Sequence, residues 1–265
     1  MAKPKSSLAL SWQHLKKYTP LIKELVGRDL KVKYRRSFLG YIWSILNPLL
    51  MMLLQSLIFS YMFRNNIPNF PLYLICGNTL FTFFNESTSM GMNSVIQNAS
   101  LIKKVYIPKF IFPLSRVVSC FVTMLFSLVA IVLVMVITRS PFYWTVLLFW
   151  VPLLFLFLFC CGMALLLSAL TVYFRDMQHL YSVLVMGWMY ATPLFYPLEA
   201  LPELLMPLMK LNPLYHYINL FRNLVMYGNI PGPNTWVACI ASAAVMLGIG
   251  IWAFRKLQKN FILYI

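Results

Sequence analysis

Acidic residues are scarce in this chain. Its 265 residues include six carboxylates against 22 lysines and arginines, which gives a net charge of +16. Charged residues make up 11% of the sequence and hydrophobic residues 61%, whereas soluble domains are about 25% charged. An ordinary soluble domain is therefore excluded, and the sequence predicts an all-α, polytopic membrane protein. Its basic residues are expected to set topology and contact membrane lipid. Nucleic acid is not an expected partner, because no soluble nucleic-acid-binding module is present.

The sequence also lacks the motifs of several other classes of protein. The five cysteines lie in or beside apolar runs, where they behave as small hydrophobic residues, so no disulfide or metal site is predicted. There is no phosphate-binding G-x-x-x-x-G-K-S/T loop, and no repeat that indicates an inverted-repeat transporter. The first 36 residues contain no apolar core as long as a cleaved signal needs, so we expect them to be retained. The sequence thus predicts no cofactor in this chain.

Apolar runs predict six transmembrane helices, each judged by the need for about 20 apolar residues to cross the hydrocarbon. The flanks on one side of the membrane hold 18 lysines and arginines, and those on the other side hold 4. Since cytoplasmic loops carry the basic excess, both termini are predicted to lie in the cytoplasm. Residues 1–36 form a cytoplasmic segment and residues 37–265 the membrane domain. The predicted spans are residues 38–63, 72–96, 117–138, 144–172, 179–198 and 235–254.

The N-terminal segment is predicted to contain an amphipathic interface helix. Thr19 and Pro20 supply a capping hydroxyl and a proline at the first helical position, so the helix is predicted to begin there. A helical wheel separates an apolar arc from a charged arc, which fits a helix lying on the membrane; a disordered basic tail is the alternative. The apolar arc contains Leu21, Ile22, Leu25 and Val32 together with Asp29, and the charged arc contains Lys23, Glu24, Arg28 and Lys31.

The second predicted span carries one polar stripe, about 100° wide on a helical wheel. Such a stripe cannot face lipid. Ionisable groups inside spans usually mark a pathway, but small polar residues also hold helices together, so the stripe either lines a pore or packs against another helix. The stripe consists of Asn78, Thr82, Asn85, Glu86, Ser89 and Asn93.

The fifth predicted span carries an aromatic stripe instead, formed by Tyr181, Trp188, Thr192 and Phe195. Aromatic rings are apolar plates on which the C–H groups of sugars can stack, and this stripe adjoins a region broken by prolines. We therefore predict that it lines the same path. Helix packing and anchoring of the span at the membrane interface are the alternatives.

Two cytoplasmic segments stand out. Residues 98–116 form a basic segment that also contains apolar side chains, spaced as in a short helix that ends at Pro108. This helix is predicted to insert into a groove on a partner protein, and a helix lying on lipid is the alternative. Arg175 and Asp176 form a predicted turn between spans four and five. Neighbours on a helix do not face each other, so each is expected to pair with another group; a solvated turn is the alternative.

Between spans five and six, prolines interrupt a run of leucines, methionines and aromatic residues, including Pro193, Pro197, Pro202, Pro207 and Pro213. Irregular backbone at membrane depth survives only where protein or a water-filled cavity satisfies it. The region is therefore predicted to form short re-entrant helices that line or plug a path.

With these segments in place, several motifs carry a resemblance to a known family. They are R-R-S-F-L-G-Y-I-W-S-I-L-N-P-L (Arg35 to Leu49), I-K-K-V-Y-I-P-K (Ile102 to Lys109), Y-F-R-D-M-Q-H-L (Tyr173 to Leu180), P-L-F-Y-P (Pro193 to Pro197), L-N-P-L (Leu211 to Leu214) and F-R-N (Phe221 to Asn223). Over nearly its whole length the sequence resembles the membrane subunit of type-2 ABC exporters. The specific match is to the branch that exports lipid-linked polysaccharides such as O-antigens, capsules and teichoic acids.

The resemblance implies a permease of the plasma (inner) membrane that forms its pore as a homodimer. It would work with two separate ATPase subunits, which would bind ATP and Mg. Residues 98–109 would be the coupling helix on the ATPase, and residues 199–228 would form paired gate helices on the outer face. The implied coupling residues are Leu101, Ile102, Lys103, Lys104, Val105 and Tyr106, and the candidate plug residues of the gate are Leu204, Leu205 and Met209.

Two other functions remain open. An exporter of the same superfamily could carry a smaller amphiphile such as a drug or lipid. A membrane enzyme acting on lipid-linked sugars is less favoured, because glycosyl chemistry commonly needs two acids or an acid with a base. Here Glu86 is the only acid in the middle of a span. No catalytic residue is therefore predicted.

Overall fold

The structure is a computed structural model that describes residues 7–34, 37–63, 67–105, 107–198 and 206–264. Within these ranges the chain forms eleven α-helices and no β-strand, in agreement with the predicted all-α fold. The helices are α1 (Ser7–Tyr34), α2 (Trp43–Phe63), α3 (Phe70–Gln97), α4 (Ala99–Lys104), α5 (Ile111–Ile137), α6 (Trp150–Tyr173), α7 (Met177–Tyr190), α8 (Met206–Leu211), α9 (Pro213–Arg222), α10 (Pro233–Leu257) and α11 (Phe261–Tyr264).

Among the described residues, four segments are long and apolar enough to cross a membrane. They are Gly40–Phe59, Ile111–Ile137, Trp144–Tyr173 and Pro233–Tyr264, and they match the predicted spans one, three, four and six. The second predicted span is a helix of 28 residues, α3, but its polar stripe makes it less apolar than these four. The helix α7 in the fifth predicted span has 14 residues, about 21 Å of helix, whereas the hydrocarbon is about 30 Å thick.

The fifth span shows where proline overrides hydropathy. The span was predicted to reach residue 198, but α7 ends at Tyr190. Proline lacks a backbone N–H and disfavours the helical conformation of the residue before it, so Pro193 stops the helix. The chain then continues without regular helix, although Thr192, Leu194 and Phe195 are still buried.

The N-terminal helix differs from its prediction in one respect. It begins at Ser7, and Pro20 lies inside it, so the predicted start at Thr19 is wrong. A capping signal is local and did not reveal that helix continues upstream. Leu25 and Asp29, which the helical wheel placed on the apolar arc of a helix lying on the membrane, are buried in the protein, whereas Val32 of the same arc is 67% exposed. The residues predicted on the charged arc, Lys23, Glu24, Arg28 and Lys31, are exposed.

Close backbone contact joins α6 and α10. A Cβ atom on Gly250 would collide with the carbonyl of Gly162, and one on Gly162 would collide with the carbonyl of Met246. Small residues at such crossings let two helices approach closely, which is a principal source of helix association in membranes. The two helices therefore form one rigid wall of the bundle.

The helix α9, which falls within the predicted outer gate, is buried against α3, α6 and α10. Tyr217 on α9 has no exposed surface, and its hydroxyl lies 2.7 Å from Ser242 Oγ on α10. Phe159 of α6 packs its ring against Tyr217, with 5.8 Å between the centroids. This helix is thus part of the packed core.

A second cluster lies where α1 and α4 meet the bundle, at the predicted cytoplasmic end. Its buried members include Leu25 of α1, Ile102 of α4 and Phe261 of α11. Tyr173 at the end of α6 donates a hydrogen bond to the carbonyl of Leu257 at 2.7 Å. The C-terminus is thereby fixed beside the predicted coupling segment.

Candidate translocation path

Four of the six residues of the polar stripe of α3 border a central cavity of about 310 Å³ between α2, α3 and α5. Thr82 and Asn85 are exposed, and Glu86 is partly exposed. Asn85 accepts a hydrogen bond from Ser89, and Asn93 donates to the carbonyl of Ser89, so these bonds lie within α3 itself. The cavity is lined by the stripe residues Asn78, Thr82, Asn85 and Glu86 together with Asn47, Gln55 and Lys33.

One stripe residue also holds helices together. Asn78 donates a hydrogen bond to the side chain of Gln55 on α2. Asn78 therefore packs α3 against α2, while Thr82, Asn85 and Glu86 border the cavity. The assignment of the stripe to a pore stays a prediction. Gln55 was not predicted to take part, although a lone amide in an apolar span is a signal of the same kind as the stripe.

Next to the central cavity, a second cavity of about 500 Å³ opens between α1, α3 and α5, and Lys33 and Glu86 border both. Lys33 on α1 donates to Glu86 on α3 at 2.9 Å, with both side chains about one-third exposed. Asp29 is buried and lies 2.9 Å from Arg116 on α5. These two ion pairs fix α1 to the bundle. The pairing of α1 with α5 could not be anticipated, because Arg116 falls in a segment assigned to the coupling loop.

The aromatic stripe divides into two parts. Tyr181 is buried and donates a hydrogen bond of 2.6 Å to Thr88, while Trp188 packs edge-on against Phe84 at 5.2 Å. Thr192 has no exposed surface. These three side chains therefore pack within the chain. Phe195 alone of the stripe borders the central cavity.

The predicted coupling segment contains a short helix, α4, which ends at Lys104 and not at Pro108 as predicted. Ile102 is 8% exposed and packs in the cluster formed with Leu25 and Phe261, and Leu101 packs against that cluster. Lys103, Lys104 and Val105 are exposed, and Tyr106 lies outside the described residues. The exposed part of the segment is therefore smaller than predicted. Apolar spacing alone could not separate a residue that packs inward from one that faces a partner.

The segment after α4 is tied to the C-terminus by Lys109. Its ammonium donates to the carbonyl of Gln258 at 2.8 Å and lies 5.4 Å from the centre of the Phe261 ring. Partial burial among these groups lowers the pKa of Lys109. This contact was not predicted, since it joins residues about 150 positions apart.

The turn at Arg175 and Asp176 is solvated among the described residues. Both side chains are exposed, and neither has a hydrogen-bond or ion-pair partner there. The carbonyl of Asp176 accepts the amides of His179 and Leu180, which begins α7. Within one copy of the chain these contacts therefore favour the alternative interpretation of Arg175 and Asp176, a solvated turn.

The outer segment is described only in part. Met209 is 5% exposed, whereas Leu204 and Leu205 lie outside the described residues. An outer cavity of about 340 Å³ lies between α9 and the end of α7. Arg222 borders it and is 4% exposed, so a guanidinium is almost completely buried there. Arg222 belongs to the F-R-N motif, but no role was predicted for it.

Comparisons with known proteins identify the family of the chain. Residues 20–226 match the family model described as ABC-2 type transporter. The O-antigen export system permease protein RfbA of Myxococcus xanthus is 32% identical over 252 residues, which cover 94% of this chain and 96% of the relative. RfbA of Klebsiella pneumoniae is 32% identical, covering 91% and 93%, and the polysialic acid transport protein KpsM of Escherichia coli is 23% identical, covering 89% and 93%. The chain therefore belongs to the ABC-2 type transporter family.

Proposed function

We propose that this chain is the permease subunit of an ATP-driven exporter of lipid-linked polysaccharide. The observation that carries the proposal is that the polar stripe of α3 borders a cavity. Its amide and hydroxyl groups can hydrogen-bond sugar hydroxyls, and Phe195 offers an apolar ring at the same cavity. The relatives named as O-antigen and polysialic acid transport proteins support a polysaccharide substrate.

The exposed first span and the missing phosphate-binding loop indicate which partners the chain needs. Of the most apolar 18 residues of the first span, 11% are buried. This span must therefore pack against lipid or against a second copy of the chain. We propose six spans with both termini in the cytoplasm, and a pore formed by two copies. Two separate ATPase subunits would bind ATP and Mg, because this sequence has no phosphate-binding loop.

An enzymatic role on lipid-linked sugars is the weaker candidate. Two carboxylates that border the central cavity or the second cavity beside it form ion pairs, Glu86 with Lys33 and Asp29 with Arg116. This arrangement favours charge neutralisation over proton transfer. An exporter of a smaller amphiphile fits the same cavities, and the substrate test below separates it.

We expect the polar stripe to be reached by water during export. Cysteine replaces Thr82 or Asn85 in a chain whose five native cysteines, all buried, have been changed to other residues. A membrane-impermeant thiol reagent should label both positions faster while ATP is hydrolysed than at rest, because the path must hydrate to pass a sugar chain.

The control position is Val132 on α5, which is 49% exposed on an apolar face. Labelling of the stripe no faster than that of Val132→Cys in either state would contradict the pore assignment. In a strain that lacks its own permease, the chain and its ATPase should restore glycan at the cell surface. Export of a hydrophobic dye without glycan would favour the smaller amphiphile.

The exposed part of the coupling segment provides a separate test. Val105→Asp should leave the permease folded, because Val105 is 50% exposed, but should weaken ATPase binding by placing a charge in an apolar contact. Co-purification of the ATPase and the export rate would both fall. Ile262→Asp is the control, since Ile262 is 60% exposed at the same end of the molecule. Normal binding and export by Val105→Asp would rule out this contact.

A further inference from the structure

The proline-broken end of the fifth predicted span has a position that its sequence did not reveal. Residues 192–197, called the proline segment here, follow α7 without forming a helix of their own, yet Thr192 and Leu194 have no exposed surface. Buried backbone outside a helix leaves carbonyl groups that need partners from elsewhere in the protein. The source of those partners indicates what holds the segment in place.

The proline segment separates two cavities. Phe195 borders the central cavity, together with the stripe of α3. Thr192, Pro193 and Pro197 border the outer cavity. Phe195 also stacks on Phe59 of α2, with 5.6 Å between the ring centroids and 11° between the ring planes. An apolar contact therefore lies at the boundary between two cavities with polar linings.

Two side chains from other helices supply partners for the carbonyl groups. Arg222 Nη1 donates to the carbonyl of Pro193 at 2.8 Å, and Nη2 donates to the carbonyl of Leu194 at 3.2 Å. The hydroxyl of Tyr73 donates to the carbonyls of Pro193 at 3.1 Å and Tyr196 at 3.0 Å. The proline segment is thus attached to α9 and α3 by its own backbone.

Arg222 is itself held in a prepared site. Its guanidinium lies 3.4 Å from the centre of the Tyr73 ring, and Nη2 also donates to the carbonyl of Tyr73 at 3.0 Å. Gly77 on α3 leaves the space that the guanidinium fills, since a Cβ there would collide with it. Among the described residues the partners of Arg222 are carbonyls and a ring, and none is a carboxylate. A fork of donors on a planar cation suits this arrangement and lysine does not provide it.

Asn212 attaches the other end of α9 to the same region. Its side-chain oxygen caps α9 by accepting the amide of Leu214 at 3.0 Å and also accepts the indole N–H of Trp188 at 2.9 Å. Its amide nitrogen donates to the hydroxyl of Thr192 at 3.0 Å. Asn212 of the L-N-P-L motif and Arg222 of the F-R-N motif therefore both attach α9 to the proline segment, from opposite ends of the helix.

We propose that the proline segment is the permeability barrier of the resting permease, with Phe195 as its seal and Arg222, Tyr73 and Asn212 as positioning residues. An apolar constriction stops ions by excluding water, so the ring pair suffices to close the path between the cavities. This inference rests on the proposed function for the existence of a path. It assigns the barrier to Phe195 instead of the predicted plug residue Met209.

The test measures leak and needs no glycan. The full chain is reconstituted, without nucleotide, into potassium-loaded vesicles of phosphatidylethanolamine and phosphatidylglycerol, and potassium efflux is recorded. Wild type should be tight, whereas Phe195→Ala should leak several-fold faster because the seal is removed while its anchors remain. Tyr73→Phe, which loses one hydroxyl, should show a smaller increase. Phe126→Ala on α5 is the matched control, since Phe126 is 41% exposed, and it should stay tight.

Three results would overturn the barrier assignment: a leaky wild type, a Phe195→Ala variant as tight as wild type, or a larger leak from Met209→Ala than from Phe195→Ala. Arg222→Lys should leak as Phe195→Ala does, and if it does not insert, Tyr73→Phe and Phe195→Ala decide the question. Because the readout is ion flux, a failure of glycan export in the same strains would count against the proposed function and leave this result unaffected.

Discussion

Replacing Gly250 by alanine should destabilise the protein, and the same replacement of Gly248, two residues away on α10, should not. A Cβ on Gly250 meets the backbone carbonyl of Gly162, which cannot turn aside as a side chain can, whereas Gly248 has no neighbouring atom within 4 Å. Overpacking of this kind costs about 1–3 kcal/mol. At Gly248, alanine gains up to about 1 kcal/mol from its better helix propensity.

The two variants can be compared by thermal unfolding of the purified protein in one detergent. Gly250→Ala should melt below wild type and Gly248→Ala at or above it. A second pair extends the comparison to α6, because Gly162→Ala should behave as Gly250→Ala does. Equal melting of the two α10 variants would show that the close crossing of α6 and α10 does not contribute to stability.

Changing Asp29 to asparagine should also cost stability, by leaving a cation without its partner. Asp29 keeps only 5% of its side chain exposed, and Arg116, its partner across α1 and α5, keeps 14%. Breaking one member of a buried ion pair costs about 3–5 kcal/mol, and we expect the lower end of this range because Arg116 retains some contact with water. The asparagine has nearly the same shape, so the loss reflects charge and not packing.

Glu24→Gln is the control for this prediction. It makes the same change from carboxylate to amide on the same helix, but Glu24 is exposed, and exposed charges contribute little. The measurement is unfolding in detergent together with protease cleavage of α1, which should become faster in Asp29→Asn only. If both variants unfold alike, the ion pair between α1 and α5 does not hold the N-terminal helix.

The predicted features that the structure confirms depend on patterns repeated over many residues. Apolar runs of span length placed α2, α5, α6 and α10, and the helical wheel separated Leu25 and Asp29 of α1, which are buried, from the exposed charged residues of the opposite arc. Hydropathy could not place the end of α7, because the residues after Tyr190 are as apolar as those before and only Pro193 distinguishes them. Long helices are thus predictable, and their interruptions less so.

The candidate site was predicted less well, and single residues explain why. Asn85 and Thr82, which border the central cavity, could be singled out because the stripe repeats with the helical period. Arg222 and Asn212 were quoted only as parts of motifs, since their partners are backbone carbonyls and an indole N–H far away in the sequence. Ile102 was assigned outward although it packs inward. Contacts between distant segments have no local signal in one sequence.

The tie between Lys109 and the carbonyl of Gln258 has a mechanical consequence. It joins the segment after α4 to the end of α10, while Tyr173 joins the end of α6 to Leu257. A displacement imposed on α4 would therefore be transmitted to α6 and α10, and these two helices would move together. Of the most apolar 18 residues of the first span, 11% are buried, against 61% of those of the fourth span. We therefore expect the relative motion to occur between α2 and the pair formed by α6 and α10.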